Sequence, residues 1–135
     1  IDSWAPYSEV KSNRKQDRYK RIALKRLVGL NAEIIQKLSL DALADFKNES
    51  LDFIYIDAAH DYANVKADLE GWALKVKPGG FISGHDYFNH RNFGVVRAVD
   101  EYAARFDITV NITSEEVPSF FWVKSGKEAL WKPRR

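Results

Sequence analysis

The stretch LDFIYIDAAHDYANVKADLEGWALKVKPGGFISGHDY, residues 51–87, decides the fold. It opens on an apolar run in which Phe53, Ile54, Tyr55 and Ile56 follow one another without a polar break. Continuous rather than alternating apolarity predicts a strand covered on both faces, as in a parallel sheet. Residues 64–76 read as a helix with Val65, Leu69, Trp72 and Val76 on one stripe. KPGG, residues 77–80, stops that helix and turns the chain into a second strand at residues 81–83. The helix between them is long enough for a right-handed crossover, so the two strands are expected to be parallel neighbours. Both run into ionisable residues: Asp57, His60 and Asp61 after the first, His85 and Asp86 after the second.

Working outward, IDSW at residues 1–4 reads as the end of a strand. RKQDRYKRIALKRLVGL is a helix, with Tyr19, Ile22, Ala23, Arg26 and Leu27 at helical spacing and Gly29 as its C-terminal cap. Residues 32–38 form a short strand, after which Ser39 caps a short helix. Beyond residue 87, GVVRAVDEYAARF is a helix that buries Val95, Val99, Tyr102 and Phe106. DITVNIT and SFFWVKS close the chain as an antiparallel pair of strands. Alternation of this kind predicts an α/β sheet, mostly parallel, with helices on both faces and an antiparallel strand pair at its C-terminal end. Ligands in such sheets bind outside the carboxyl ends of the strands, where both charged clusters fall.

The bulk composition agrees with one packed domain. The chain has 135 residues, 45% of them apolar and 13% aromatic. It has no cysteine, which excludes disulfides and thiolate metal sites. No apolar run approaches the ~18–20 residues of a membrane span, and no secretory h-region is visible, so a cytoplasmic location away from membranes is expected. The net charge of +2 is unevenly spread. Residues 1–30 carry eight Lys/Arg against three acids, and residues 124–135 carry five against one, whereas residues 31–123 carry eight against fifteen. Solvated helix faces and a basic C-terminal tail, residues 126–135, account for the basic ends better than a nucleic-acid interface does. The acidic centre suits a cation.

Adjacent strands lie ~4.8 Å apart, so Asp57 and Asp86 can converge on one point. Two carboxylates suit a hard divalent cation such as Mg²⁺. An imidazole near a cation-bound hydroxyl fits a general base, because its ordinary pKa lies near neutrality. His85 is a ligand, an orienter of a ligand, or a plain strand-end residue. The bland readings stand beside these: Asp57 as a turn cap, His60 as a surface histidine, His90 as a loop residue. Asp61 reads as a cap or turn residue, and Asp68 and Glu70 as solvated helix positions.

FIYIDAAHDYANVKADLEGWALKVKPGGFISGHDY followed by GVVRAVDEY resembles the class I S-adenosylmethionine (SAM)-dependent methyltransferases. More narrowly it resembles the metal-dependent sugar and natural-product O-methyltransferases, the macrocin and cephalosporin-pathway enzymes among them. IDAAHDY together with GGFISGHDY carries most of the likeness; KPGG is common to many methyltransferases. The resemblance implies a Rossmann-like fold, with SAM and Mg²⁺ or a similar divalent cation as cofactors and a small-molecule or sugar hydroxyl as acceptor. It implies that Asp57 and Asp86 bind the metal and that His60 is the base. His85, the residue before Asp86, stands where relatives are often acidic, and is grouped with the two aspartates at the metal. Asp2 falls where the family holds the SAM ribose, and Ser39 and Asp41 lie in the loop that borders the adenine.

The family's first strand and its Gly-rich loop would precede residue 1, so a partial methyltransferase domain over residues 1–125 is expected. With a central strand missing, an unpaired edge should drive homo-oligomerisation. Two other readings compete. One is a non-catalytic Rossmann-like binding or assembly module. The other is a metal-dependent hydrolase, weakened by the lack of a GxSxG motif.

Overall fold

A computed structural model describes residues 1–6 and 12–129. The chain divides into two compact units, Ile1–Ala42 and Leu43–Arg135. In the first, helix α1 spans Asn13–Leu27, and the Ser12 hydroxyl accepts from the Lys15 amide at its N-terminus. Gly29, at φ +80°, follows the helix in the left-handed region that glycine adopts at little cost. Helix α2 spans Ser39–Ala42. The strands expected at residues 1–4 and 32–38 do not form. Among the described residues a single backbone bond, Asp2 N–H to Ile35 O at 3.1 Å, joins the two stretches, and one bond is not a ladder. Extended propensity without a paired neighbour leaves them irregular.

The second unit holds the sheet. Its elements are β1 (Leu51–Ile56), α3 (Tyr62–Trp72), β2 (Val76–Gly84), α4 (Val95–Phe106), β3 (Asn111–Ile112), β4 (Phe120–Val123) and α5 (Gly126–Ala129). The strand order is β1-β2-β4-β3. β1 and β2 are parallel neighbours, while β4 runs antiparallel to both β2 and β3. This is a mixed four-stranded sheet with one parallel pair, rather than the mostly parallel sheet expected.

KPGG does not separate α3 from β2; it lies inside β2. Leu51 pairs with Val76 and Phe53 with Phe81, so the ladder absorbs extra residues as a bulge, with Gly79 at φ +81°. Val76, expected as the end of the helical stripe, is instead the first residue of β2 and fully buried.

Ile54, Ile82 and Trp122 are register partners across β1, β2 and β4, and all three are buried. They pack with Val65, Leu69 and Trp72 of α3 and with Val95, Val99, Tyr102 and Phe106 of α4 in one core. The Tyr102 and Trp122 rings lie 5.7 Å apart. The partner row on the other face, Phe53, Phe81 and Val123, is 60%, 48% and 52% exposed. The helices of this unit therefore cover one face of the sheet, not the two expected from the unbroken apolar run. Asp68, expected in solvent, is 4% exposed, because three residues past Val65 it falls on the inward side of α3.

At the C-terminal end of the described chain Glu128 is buried. It accepts from Trp122 Nε1 at 3.2 Å and from the Ser125 amide at 2.8 Å. The basic tail thus begins as a short packed helix; residues 130–135 lie outside the described residues. No helix among the described residues is long and apolar enough to cross a membrane.

Candidate functional site

The site grows from the level ends of β1 and β2. Ile56 is the register partner of Gly84, so Asp57 and His85 leave the sheet side by side. The His85 amide still donates to Ile56 O at 3.0 Å, which extends the parallel ladder by one residue. That closeness needs glycine at 84, since a Cβ there would sit 2.6 Å from Ile56 O and 2.5 Å from Phe120 Cζ. Asp86 then turns with φ +60°, a left-handed conformation that Asp tolerates better than most side chains.

His60 arrives from the other direction, on the short loop between β1 and α3. Asp61 caps α3, its carboxylate accepting from the Asn64 amide at 3.2 Å and from Asn64 Nδ2 at 2.6 Å. Those hydrogen bonds, the side-chain one foremost, hold the Asp61 carboxyl below its ordinary value of 3.8 against an opposing effect of burial. The cap fixes where the helix begins and so where His60 stands.

Gly94 holds the same loop from outside. Its amide donates to His60 O at 2.7 Å, and a Cβ at this position would collide with the Tyr62 backbone. The Phe93 ring lies against the imidazole, with centroids 4.6 Å apart and planes 31° apart.

These constraints bring three side chains together. His60 Nε2 lies 2.9 Å from Asp86 Oδ2 and 3.8 Å from Asp57 Oδ1. One ligand-capable atom from each of Asp57, His60 and Asp86 lies within 4.8 Å of the others. The Asp57 side chain is about half exposed at 52%, whereas those of His60 and Asp86 are 16% and 14% exposed. His85 is outside this set of three; its Nδ1 sits 3.3 Å from Asp86 Oδ2. Two carboxylates with an imidazole at this spacing fit a divalent cation by donor type and by distance, since oxygens around such ions lie ~2.0–2.6 Å from the metal.

The other expected site residues belong to the first unit. Asp2 is exposed, and its Oδ1 accepts from the Trp4 amide at 2.7 Å. Ser39 opens α2, and Asp41 stands exposed in its first turn. His90, read as a loop residue, is exposed, with its ring 5.2 Å from that of Phe93. Three further residues around the cluster, Phe93, Gly94 and Tyr87, do not stand out in the sequence. A glycine immediately before an apolar helical run was the available signal for Gly94; FNHRNF showed aromatic residues but not which one would meet His60.

The profile of a family described as a methyltransferase domain matches residues 1–87. The uncharacterized protein y4gI of Sinorhizobium fredii is 34% identical over 74 residues, which is 54% of this chain and 8% of y4gI. Among solved structures, a Corynebacterium glutamicum protein superposes with TM-score 0.58 at 18% identity, over 93% of this chain and 59% of its own. The O-methyltransferase NovP superposes with TM-score 0.58 at 23% identity, over 86% of this chain and 46% of its own. An O-methyltransferase family protein from Burkholderia thailandensis gives 0.52 at 18% identity, over 84% and 41%. The chain therefore spans about half the length of these solved chains and a small part of y4gI. The structural likenesses speak to the α/β fold.

Proposed function

The chain belongs to the methyltransferase domain family, and from that footing we propose that it serves SAM-dependent O-methylation of a small-molecule or sugar hydroxyl, assisted by a divalent cation. The observation that carries the reading is the convergence of Asp57, His60 and Asp86 at two adjacent strand ends, with ligand atoms within 4.8 Å.

Asp57 and Asp86 would hold Mg²⁺ or a similar hard cation through their carboxylates. When bound, the cation lowers the pKa of an acceptor hydroxyl beside it, and SAM supplies the methyl group. His60 takes the hydroxyl proton on Nε2, the atom that faces both carboxylates. Asp86, 2.9 Å away, stabilises the imidazolium that results. The Phe93 ring against the imidazole and the Gly94 bond to the His60 carbonyl restrict the swing of the base, so less orientation has to be found during the reaction. His85 orients the Asp86 carboxylate through the same oxygen. Asp2 would hold the ribose hydroxyls of SAM, and Ser39 and Asp41 would border its adenine. The partial exposure of Asp57 leaves an open side on the cluster from which an acceptor can approach.

Titration calorimetry with SAM, in the presence and absence of Mg²⁺, tests the reading. SAM binding that strengthens with Mg²⁺ supports it. Mg²⁺ binding with no SAM binding would favour a metal-dependent hydrolase, and binding of neither would favour a non-catalytic module.

A further inference from the structure

Asp86 is one residue between two anchors. Before it, the His85 amide is bonded to Ile56 O of β1 at 3.0 Å. After it, the Tyr87 amide is bonded to Pro118 O, ahead of β4, at 2.9 Å. The Phe88 amide folds back to Asp86 O at 2.8 Å, closing a tight turn around Tyr87. The reversal of direction falls on Asp86 itself, at φ +60°. Asp107 shares such a φ, but it sits at the C-terminal cap of α4, where left-handed residues are usual. Asp86 has no helix end to explain it. A non-glycine residue in this region is disfavoured by about 1–2 kcal/mol and persists only where its surroundings fix it from more than one side.

The tyrosine that follows supplies a further fixed point. Its hydroxyl donates to Asp100 Oδ1, on the outer side of α4, at 2.6 Å, and its ring lies 6.2 Å from that of Phe120 on β4. We propose that Tyr87 and Asp100 are a positioning pair, which locks the turn after β2 so that the Asp86 carboxylate is presented to the cation and to His60. The inference rests on the reading of Asp86 as a metal ligand.

The two ends of this lock are chemically suited to it. A phenol is an O–H donor at neutral pH, and Tyr87 directs its proton to the Asp100 carboxylate at 2.6 Å. A donor of this kind on a carboxylate makes a charge-assisted bond, stronger than a neutral one. The bond ties the turn to α4, the same helix whose N-terminal Gly94 grips the His60 loop. One helix therefore sets the positions of both the base and the carboxylate opposite it. Without the hydroxyl, the ring is held by packing alone and the turn is free to relax toward an ordinary φ. That relaxation swings the Asp86 carboxylate away from Asp57.

Mn²⁺ binding to the full chain, followed by electron paramagnetic resonance, tests the pair without any need for an acceptor. Tyr87→Phe and Asp100→Ala should each weaken Mn²⁺ binding by about tenfold, the low end of what losing an outer-shell partner costs a metal site. Asp100→Asn keeps an oxygen acceptor but not the charge, and should weaken binding less than Asp100→Ala does. Asp86→Asn, the control for the ligand itself, should abolish binding. Unchanged affinity in Tyr87→Phe, with Asp86→Asn inactive in binding, would overturn the positioning role and leave the metal reading standing. Asp100→Asn as weak as Asp100→Ala would overturn it as well, because charge rather than the bond would then be acting. Undiminished binding in Asp86→Asn would defeat the metal reading and this inference together. Asp100 lies on the exposed side of α4, so its variants test the pair even where Tyr87→Phe unsettles the turn.

Discussion

His60 faces Asp57 and Asp86 because it must turn within three residues of the end of β1 before Asp61 commits the chain to α3. The cap and the base are thus separable. Asp61→Ala should lower stability by about 1 kcal/mol, the usual loss at an N-cap, readable as a shifted denaturant midpoint. Because the Asp61 carboxyl is held below its ordinary 3.8 when folded, its contribution is complete above that value and fades as pH falls through the lower folded one. The stability difference between Asp61→Ala and the natural protein should therefore shrink in strong acid. His60→Gln should keep Mg²⁺ binding while methyl transfer falls by about 10²–10⁴-fold, the range for a positioned base. Loss of Mg²⁺ binding in that variant would make His60 a ligand instead. The residues of this cluster were legible in the sequence because they are ionisable and follow apolar runs. Phe93 and the Tyr87–Asp100 pair were not, since their meaning is a contact between segments.

At the scale of elements, the parallel pairing of β1 and β2 depends on backbones that approach closely at two glycines. A Cβ at Gly80 would sit 2.6 Å from Asp52 O, and one at Gly84 would meet Ile56 O and Phe120. Gly84→Ala should cost about 1–3 kcal/mol by overpacking. It should also weaken Mg²⁺ binding, because it pushes apart the strand ends that carry Asp57 and Asp86. A destabilised variant with unchanged Mg²⁺ affinity would show that the two ends move together. The helices α3 and α4 and the pairing of β1 with β2 could be read from periodicity and connection length. The strand expected at residues 81–83 starts earlier, at Val76, since KPGG looks like a stop and acts as a bulge that keeps pairing on either side. The extended stretches at residues 1–4 and 32–38 form no strands because extension is local and pairing is not.

On the scale of the molecule, the second unit carries the sheet, its one-sided core and the carboxylate cluster, whereas Asp2, Ser39 and Asp41 belong to the first. Fold class could be inferred from the alternation of strands and helices, and the place of the carboxylate cluster from the carboxyl ends of two neighbouring strands. The exposed row of Phe53, Phe81 and Val123 could not, because an unbroken apolar run reads the same whether one face or two are covered. Trp122 is 2% exposed, and Trp122→Ala should cost about 3–5 kcal/mol in a thermal or denaturant melt. The cation site should be lost in that variant only as far as the sheet itself is lost. Isothermal titration of Mg²⁺ into the natural protein and into Asp57→Ala decides whether the paired strand ends form a divalent-cation site. The expected result is one Mg²⁺ per chain in the natural protein and none in Asp57→Ala; equal binding by the two, or binding by neither, would contradict it.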